Sequence, residues 1–303
     1  MTVPIKTNRA NGYFARNPHI KYIAPAMTVM ITLSVVPTIF LILISFTNYQ
    51  LGWAFERARF VGFDNFKRLF SGLDPDFWHS VYISIAFMIL TTGIEMLLGF
   101  TIASLLNSME FKLKAVVFGI FVIPIAMTPS IAAQMWKLML NAEYGIVNHI
   151  LQSAFGLKVV WLSKDMAFWS VMMVDIWQYT PFVALIIYAG LRSLPSEPFE
   201  SAAIDGAASF QMLRYLTLPM MRKLLYLAVL LRAIDSLKLF DTAFVLTQGG
   251  PGNATEFLSL HVFRMANAQN GFIGRAASIA MVLLFIVTVV SRVLIRQQRR
   301  EEG

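Results

Sequence analysis

Six apolar stretches, near residues 23–47, 80–107, 115–139, 166–190, 224–246 and 274–296, divide this 303-residue chain. Each is long enough to cross about 30 Å of hydrocarbon as a helix of roughly 20 residues. In lipid every backbone polar group must be satisfied internally, which leaves helices and closed barrels, and apolar runs of this length are helical. The chain therefore reads as an all-α polytopic membrane protein with six transmembrane helices. Its composition agrees: 57% of residues are hydrophobic and only 14% charged, where soluble domains carry about a quarter. Residues 1–22 read as a polar amino tail, 23–296 as the membrane domain with a long internal loop at 191–223, and 297–303 as a carboxyl tail. The first apolar stretch exceeds a signal-peptide core and has no small-residue cleavage site after it, so it is expected to remain as an anchor.

Orientation follows from Lys and Arg. Fourteen basic residues fall in the amino tail (Lys6, Arg9, Arg16, Lys21), the 108–114 loop (Lys112, Lys114), the 191–223 loop (Arg192, Arg214, Arg222, Lys223) and the carboxyl end (Arg292, Arg296, Arg299, Arg300), against six acids. That excess equals the whole formal charge of +8, while the 48–79, 140–165 and 247–273 segments are balanced. Both termini and the 191–223 loop are thus expected in the cytoplasm. The pI of 9.8 then reports membrane topology rather than nucleic-acid binding. There is no cysteine, and His19, His79, His149 and His261 lack metal-ligand spacing, so neither a disulfide framework nor a metal site is expected.

The 191–223 loop holds the most specific pattern. Ser196 stands where it can cap a short helix, Glu197 and Glu200 complement the helix dipole, and Phe199, Ala202, Ala203 and Ile204 supply an apolar side. Gly206 permits a sharp turn, Phe210, Leu213 and Leu216 extend a second amphipathic helix, and Pro219 suits the first turn of a third. A helix–Gly–helix elbow between two spans can be gripped by a soluble partner and moved as a body. The plainer possibility is a loop that only joins spans. Glu200-Ser201-Ala202-Ala203-Ile204-Asp205-Gly206-Ala207 followed by Leu216-Thr217-Leu218-Pro219 resembles the E-A-A-x3-G-x9-I-x-L-P loop of the membrane subunits of binding-protein-dependent ABC importers, departing at Ser201 and Leu216. Phe60-Val61-Gly62-Phe63-Asp64-Asn65-Phe66 and Thr247-Gln248-Gly249-Gly250-Pro251-Gly252-Asn253-Ala254-Thr255-Glu256 are similar to segments of the carbohydrate permeases in that superfamily. Read without the family, both are turn chemistry.

That resemblance implies a type I ABC importer permease fold and a cell inner-membrane location. It implies that Glu200, Ala202, Ala203, Asp205, Gly206, Ala207, Phe210, Leu218 and Pro219 couple the chain to an ATPase. The implied partners are a second permease subunit in a heterodimer, two ATP-binding subunits and a periplasmic or lipoprotein solute-binding protein. ATP and Mg would sit on the ATPase, with no cofactor on this chain and no nucleic acid.

Ionisable groups inside apolar spans mark pathways or structural pairs, because each costs a few kcal/mol or more facing lipid. The spans contain Glu95, Lys137, Asp175, Arg232, Asp235, Lys238, Asp241 and Arg275. Lys137 and Arg275 lie where they can snorkel, and Glu95 is placed to pair with a neighbouring helix. Arg232, Asp235, Lys238 and Asp241 recur every three residues, so a self-satisfying ladder along one helix and direct substrate contact are both open. Asp175, Trp177, Gln178 and Tyr179, ahead of a helix-loosening Pro181, combine hydrogen-bonding groups with aromatic plates that suit a sugar. The maltose-type permeases that this chain resembles use the corresponding stretches for cargo, which supports Asp175, Tyr179, Ser236 and Lys238; Trp177, Asp235 and Asp241, from the same polar runs, complete the seven pathway candidates.

The chain contains no Gly-Lys pair and so no phosphate-binding G-x-x-x-x-G-K-[ST] loop, and no Gly-x-Ser-x-Gly or His-Glu-x-x-His motif. It is expected to be a transport subunit whose ATP hydrolysis resides elsewhere. A sugar or small oligosaccharide is the expected cargo. Alternatives are a polyol, a glycerol-phosphate-like or sulfonated sugar derivative, or an ion-coupled secondary transporter.

Overall fold

The computed structural model describes residues 19–109, 111–267 and 271–300. Most of the tail expected over 1–22, residues 301–303, and the charges Lys6, Arg9, Arg16, Glu110, Glu301 and Glu302 lie outside them. In chain order the helices are α1 His19–Ser45, α2 Asp64–Phe70, α3 Pro75–Ser108, α4 Phe111–Ala126, α5 Pro129–Met139, α6 Ile146–Phe155, α7 Ala167–Ser193, α8 Glu197–Ile204, α9 Ser209–Met212, α10 Leu218–Leu237, α11 Asp241–Leu246, α12 Leu258–Asn267 and α13 Ile273–Arg300. Between the described residues of α1 and α2, one isolated antiparallel bridge joins Thr47 to Phe60.

The centre of the bundle is α3 against α7. Asp74 starts α3 by accepting a hydrogen bond from the Asp76 N–H, with Pro75 in the first turn, where its missing donor costs nothing. At Gly99 the absence of a side chain lets α7 approach: a Cβ there would lie 2.7 Å from Val183 Cγ1 and 3.1 Å from the Ala184 backbone nitrogen. Pro181 does not interrupt α7, which runs unbroken to Ser193. Of the apolar window in α7, 61% is buried, against 6% in α1 and 11% in α13. Those two helices therefore present their apolar sides outward, as helices solvated by lipid do. The segment after α1 is held by Asn65, whose amide donates to the Ser45 and Thr47 carbonyls at 2.8 Å each and so satisfies the end of that helix.

Two of the six expected spans differ from the sequence reading. The stretch at 115–139 is not one straight helix: α4 and α5 meet at a 99° bend. Thr128 leaves the helical region and Pro129 opens α5 at its first position, so the chain restarts there in a new direction. The stretch at 224–246 is also divided, since α10 ends at Leu237 and α11 begins at Asp241. With Arg222, Lys223, Arg232 and Asp235 in twenty residues, α10 is too charged to count as an apolar span by composition. Among the described residues, four helices are long and apolar enough to cross a membrane, five with the bent pair, so six is not confirmed.

Candidate functional site

Arg232, the largest fully buried side chain among the described residues, organises the middle of the bundle. It projects from α10 between the two central helices. Its Nε donates to Glu95 Oε2 of α3 at 2.5 Å, and its Nη2 donates to Glu95 Oε1 and to Asp175 Oδ2 of α7, both at 2.8 Å. The guanidinium lies 4.2 Å from the ring centroid of Tyr179, one turn beyond Asp175. Ser236 completes the shell, accepting from Arg232 Nη2 and from Thr91 Oγ1 at 3.3 Å each. Both carboxylates are essentially inaccessible, so three helices share one charge-assisted joint.

This joint replaces most of the ladder expected along the fifth apolar stretch. Arg232 turns to the other helices rather than to Asp235, and only the Asp235–Lys238 rung forms, at 3.5 Å with both side chains about half exposed. Asp241 lies past the break after Leu237 and accepts from Ser130 Oγ of α5 at 3.3 Å. Lys137, expected to snorkel, instead donates to the Val245 carbonyl of α11 at 2.8 Å. The short helices α5 and α11 are thus fastened to each other on either side of the opening.

Above the joint the broken helix opens a cavity of about 270 Å³, walled by Asp175, Tyr179, Arg232, Asp235, Lys238 and Asp241 together with Pro129, Leu239, Phe240 and Thr242. Five of the seven pathway candidates are therefore brought together. Trp177 and Ser236 are not on the wall: Trp177 packs edge-on against Trp136 with centroids 5.5 Å apart, and Ser236 is buried in the joint. Sequence reasoning missed Glu95 as Arg232's partner, 137 residues away, and the Pro129 and Phe240 walls. The only local signal for the latter was Pro129 as a helix starter.

The elbow at 197–219 has the expected helix–turn–helix form with two differences in detail. Ser196 precedes α8 but its hydroxyl makes no capping bond; the backbone N–H groups of Phe199 and Glu200 bond to the Ser196 carbonyl instead. Gly206 adopts φ +77° with nothing within 4 Å of a would-be Cβ, so its requirement is conformational, not spatial. Gln211 caps α9 through the Ala208 N–H at 2.7 Å. A π-helical turn, Leu213–Thr217, then leads into α10, where Pro219 occupies the first turn. Ile204, Phe210 and Tyr215 stand 87%, 68% and 68% exposed. Beside them Ala202, Asp205, Gly206, Ala207, Gln211 and Tyr215 line a groove of about 420 Å³. Glu200, Ala203 and Asp205 are exposed on the same elbow, with Leu218 and Pro219 at its end.

At the other end of α3 the Gly-rich hairpin is clamped by charge. Buried His261 bridges Asp74 Oδ2 at 2.9 Å and Glu256 Oε1 at 3.0 Å, and Glu256 also pairs with Arg264 at 2.5 Å. Asn253 donates to Asp76 at 3.0 Å while its carbonyl bonds His79 at 2.9 Å. Burial opposes the His261 cation, but the two carboxylates outweigh it and raise the pKa from 6.5 to about 9. Because the folded value lies above the unfolded one, the stabilisation is complete below about pH 6.5 and lost as pH rises through about 9. The difference in unfolding free energy between wild type and His261→Gln should therefore shrink by roughly 3 kcal/mol from pH 6 to pH 9.5. A pH-independent difference in thermal unfolding would rule out a protonated clamp. Among the described residues, no group of three or more His, Asp or Glu is arranged to hold a metal ion.

A bundle with a broken helix at a polar cavity, and an exposed elbow leading directly into that helix, defines a membrane-embedded transport subunit. Residues 95–300 match the family described as binding-protein-dependent transport system inner membrane component, and the chain belongs to that family. It is 36% identical over 270 residues to the trehalose/maltose transport system permease protein MalF of Thermococcus litoralis, covering 88% of this chain and 90% of that protein. It is 28% identical to the sulfoquinovosyl glycerol transport system permease protein SmoG of Agrobacterium fabrum, over 92% and 90% of the two chains. In fold it is similar to a chain of a bacterial ABC transporter involved in the import of the acidic polysaccharide alginate, with TM-score 0.78, 20% identity and coverage of 97% and 99%. The fold is that of type I ABC importer permeases, and the chain is a multi-pass inner-membrane permease subunit. Membership sets aside the ion-coupled secondary transporter.

Proposed function

We propose that this chain forms one half of the translocation pathway of an ATP-driven importer for a sugar or small oligosaccharide. The observation that carries this reading is the cavity at the helix break, where half-exposed Asp235 and Lys238, exposed Asp241 and the Tyr179 ring converge. Carboxylates accept from sugar hydroxyls, an ammonium donates to them, and an aromatic plate receives the apolar face of a sugar ring. The relationship to a trehalose/maltose permease supports the cargo class. A second permease would supply the opposite wall, and a periplasmic or lipoprotein solute-binding protein would deliver cargo. Two ATPase subunits carrying ATP and Mg would grip the elbow, through Glu200, Ala202, Ala203, Asp205, Gly206, Ala207, Phe210, Leu218 and Pro219. ATP-driven closure of those subunits would rock the helices about the cavity in alternating access.

In the reconstituted transporter, Lys238→Ala and Asp241→Asn are expected to cut sugar uptake roughly tenfold through lost charge-assisted hydrogen bonds. Unchanged uptake in both, at confirmed membrane abundance, would remove the cavity from the cargo path. The charge asymmetry supports cytoplasmic termini, a cytoplasmic elbow and the tail–domain–tail division at residues 22 and 297. Since the chain has no cysteine, Ser71→Cys should react with an impermeant thiol reagent in intact cells and Ser209→Cys only after permeabilisation. Labelling of Ser209→Cys in intact cells would reverse the orientation.

A further inference from the structure

We propose that the cavity selects cargo by charge, admitting uncharged polyhydroxylated ligands and rejecting anionic ones, with Asp235 and Asp241 as the specificity-determining residues. This rests on reading the cavity as the cargo site. The group best suited to an anion, the Arg232 guanidinium, is already committed: Nε and Nη2 bond Glu95 and Asp175, its face covers Tyr179, and it is 1% exposed. Lys238 is the other cation on the wall and stands 3.5 Å from Asp235. Asp241, across the break, accepts from the Ser130 hydroxyl and, among the described residues, pairs with no cation. Two cations thus face four carboxylates, counting Glu95 behind the joint, a formal charge of −2. A proton on either buried carboxylate would leave −1. Lys137 of α5 is not on the wall; its ammonium is bonded to the Val245 carbonyl and offers the cavity no donor.

The sign decides the chemistry. A sugar hydroxyl brought to the cavity donates to Asp235 or Asp241 and keeps its hydrogen bonds. A sulfonate, phosphate or uronate brought there loses hydration and meets an excess of like charge, while the guanidinium on the wall is already neutralised by two carboxylates. Discrimination here comes from repulsion of the wrong ligand as well as attraction of the right one.

The cysteine-free chain permits a test that does not require the cargo to be known. In the complete transporter, Phe240→Cys places a thiol on the cavity wall, and its modification rate is measured with three methanethiosulfonate reagents: neutral hydroxyethyl, cationic trimethylammonium-ethyl and anionic sulfonatoethyl. Local effects on the thiol itself cancel in the cationic-to-anionic ratio. That ratio should exceed the ratio at exposed Ser71→Cys by roughly tenfold or more, since a potential little above one kT enters it twice. Adding Asp235→Asn and Asp241→Asn should return it close to the Ser71→Cys value. Pro129→Cys, on another part of the wall, serves if the Phe240→Cys complex does not assemble. A ratio at or below the control, or one unmoved by the two Asn substitutions, overturns the charge selection, as does a thiol that none of the reagents reaches. The labelling ratio addresses only the field in the cavity, whereas the uptake assay addresses whether cargo passes through it, so the two readings fail separately.

Discussion

Arg232→Ala is expected to destabilise the subunit by about 3–5 kcal/mol, because it leaves two inaccessible carboxylates without their cation. Glu95 and Asp175 lie on different helices, so the repulsion would act directly between α3 and α7, whose close approach at Gly99 leaves little room to relax. The joint as a whole contributes much less than its breakage costs, since burying three charged groups is itself unfavourable. The combined variant Arg232→Met, Glu95→Gln, Asp175→Asn should therefore recover most of the lost stability. The measurement is thermal unfolding of the detergent-purified complex together with its abundance in the membrane. Equal unfolding temperatures for Arg232→Ala and wild type would mean that the joint does not hold the bundle together.

Replacement of Gly206 by Val should abolish most transport while leaving the bundle intact. At φ +77° a β-branched residue costs roughly 1–3 kcal/mol, and no neighbour stands within 4 Å to collide with it. The elbow is solvent-exposed, so the strain is relieved by a changed angle between α8 and α9 rather than by unfolding of the spans. Asn, which tolerates the left-handed region, should preserve much of the activity in Gly206→Asn, which separates backbone geometry from bulk. Adding Glu200→Arg at the start of α8 places a positive charge at a helix N-terminus, where a negative one is favoured. Co-purification of the ATPase and its stimulation by cargo-loaded binding protein are the readouts. Wild-type values for both in a correctly inserted Gly206→Val, Glu200→Arg double variant would reduce the elbow to a connector.

Hydropathy alone located α1, α3, α7 and α13, because an apolar run has one low-energy structure in lipid. The break before α5 carried a readable mark, Pro129 after Thr128, that a window average over 115–139 conceals. The break after Leu237 carried none: Lys238-Leu239-Phe240 contains neither Gly nor Pro, and charges every third residue satisfy a continuous helix equally well on paper. What settled the matter lies far away in the chain. Arg232 finds its partners 137 and 57 residues upstream, and His261 finds Asp74 at a separation of 187. Local spacing holds no information about such pairs, so the residue types of the site were legible and their pairing was not. The elbow was the most legible part, since a turn glycine and a helix-starting proline act through their immediate neighbours.

The unbroken run of α10 has a mechanical consequence. Twenty helical residues span about 30 Å, and Pro219 at one end belongs to the elbow while Asp235, close to the other end, lines the cavity. A rod of this kind has little compliance, so a push applied at the elbow would reach the cavity wall as a movement of the whole helix. The Arg232 clasp adds α3 and α7 to the same piston. The helix is interrupted only at the three residues between Leu237 and Asp241, so Lys238, Leu239 and Phe240, which line the chamber, are also where the rod ends.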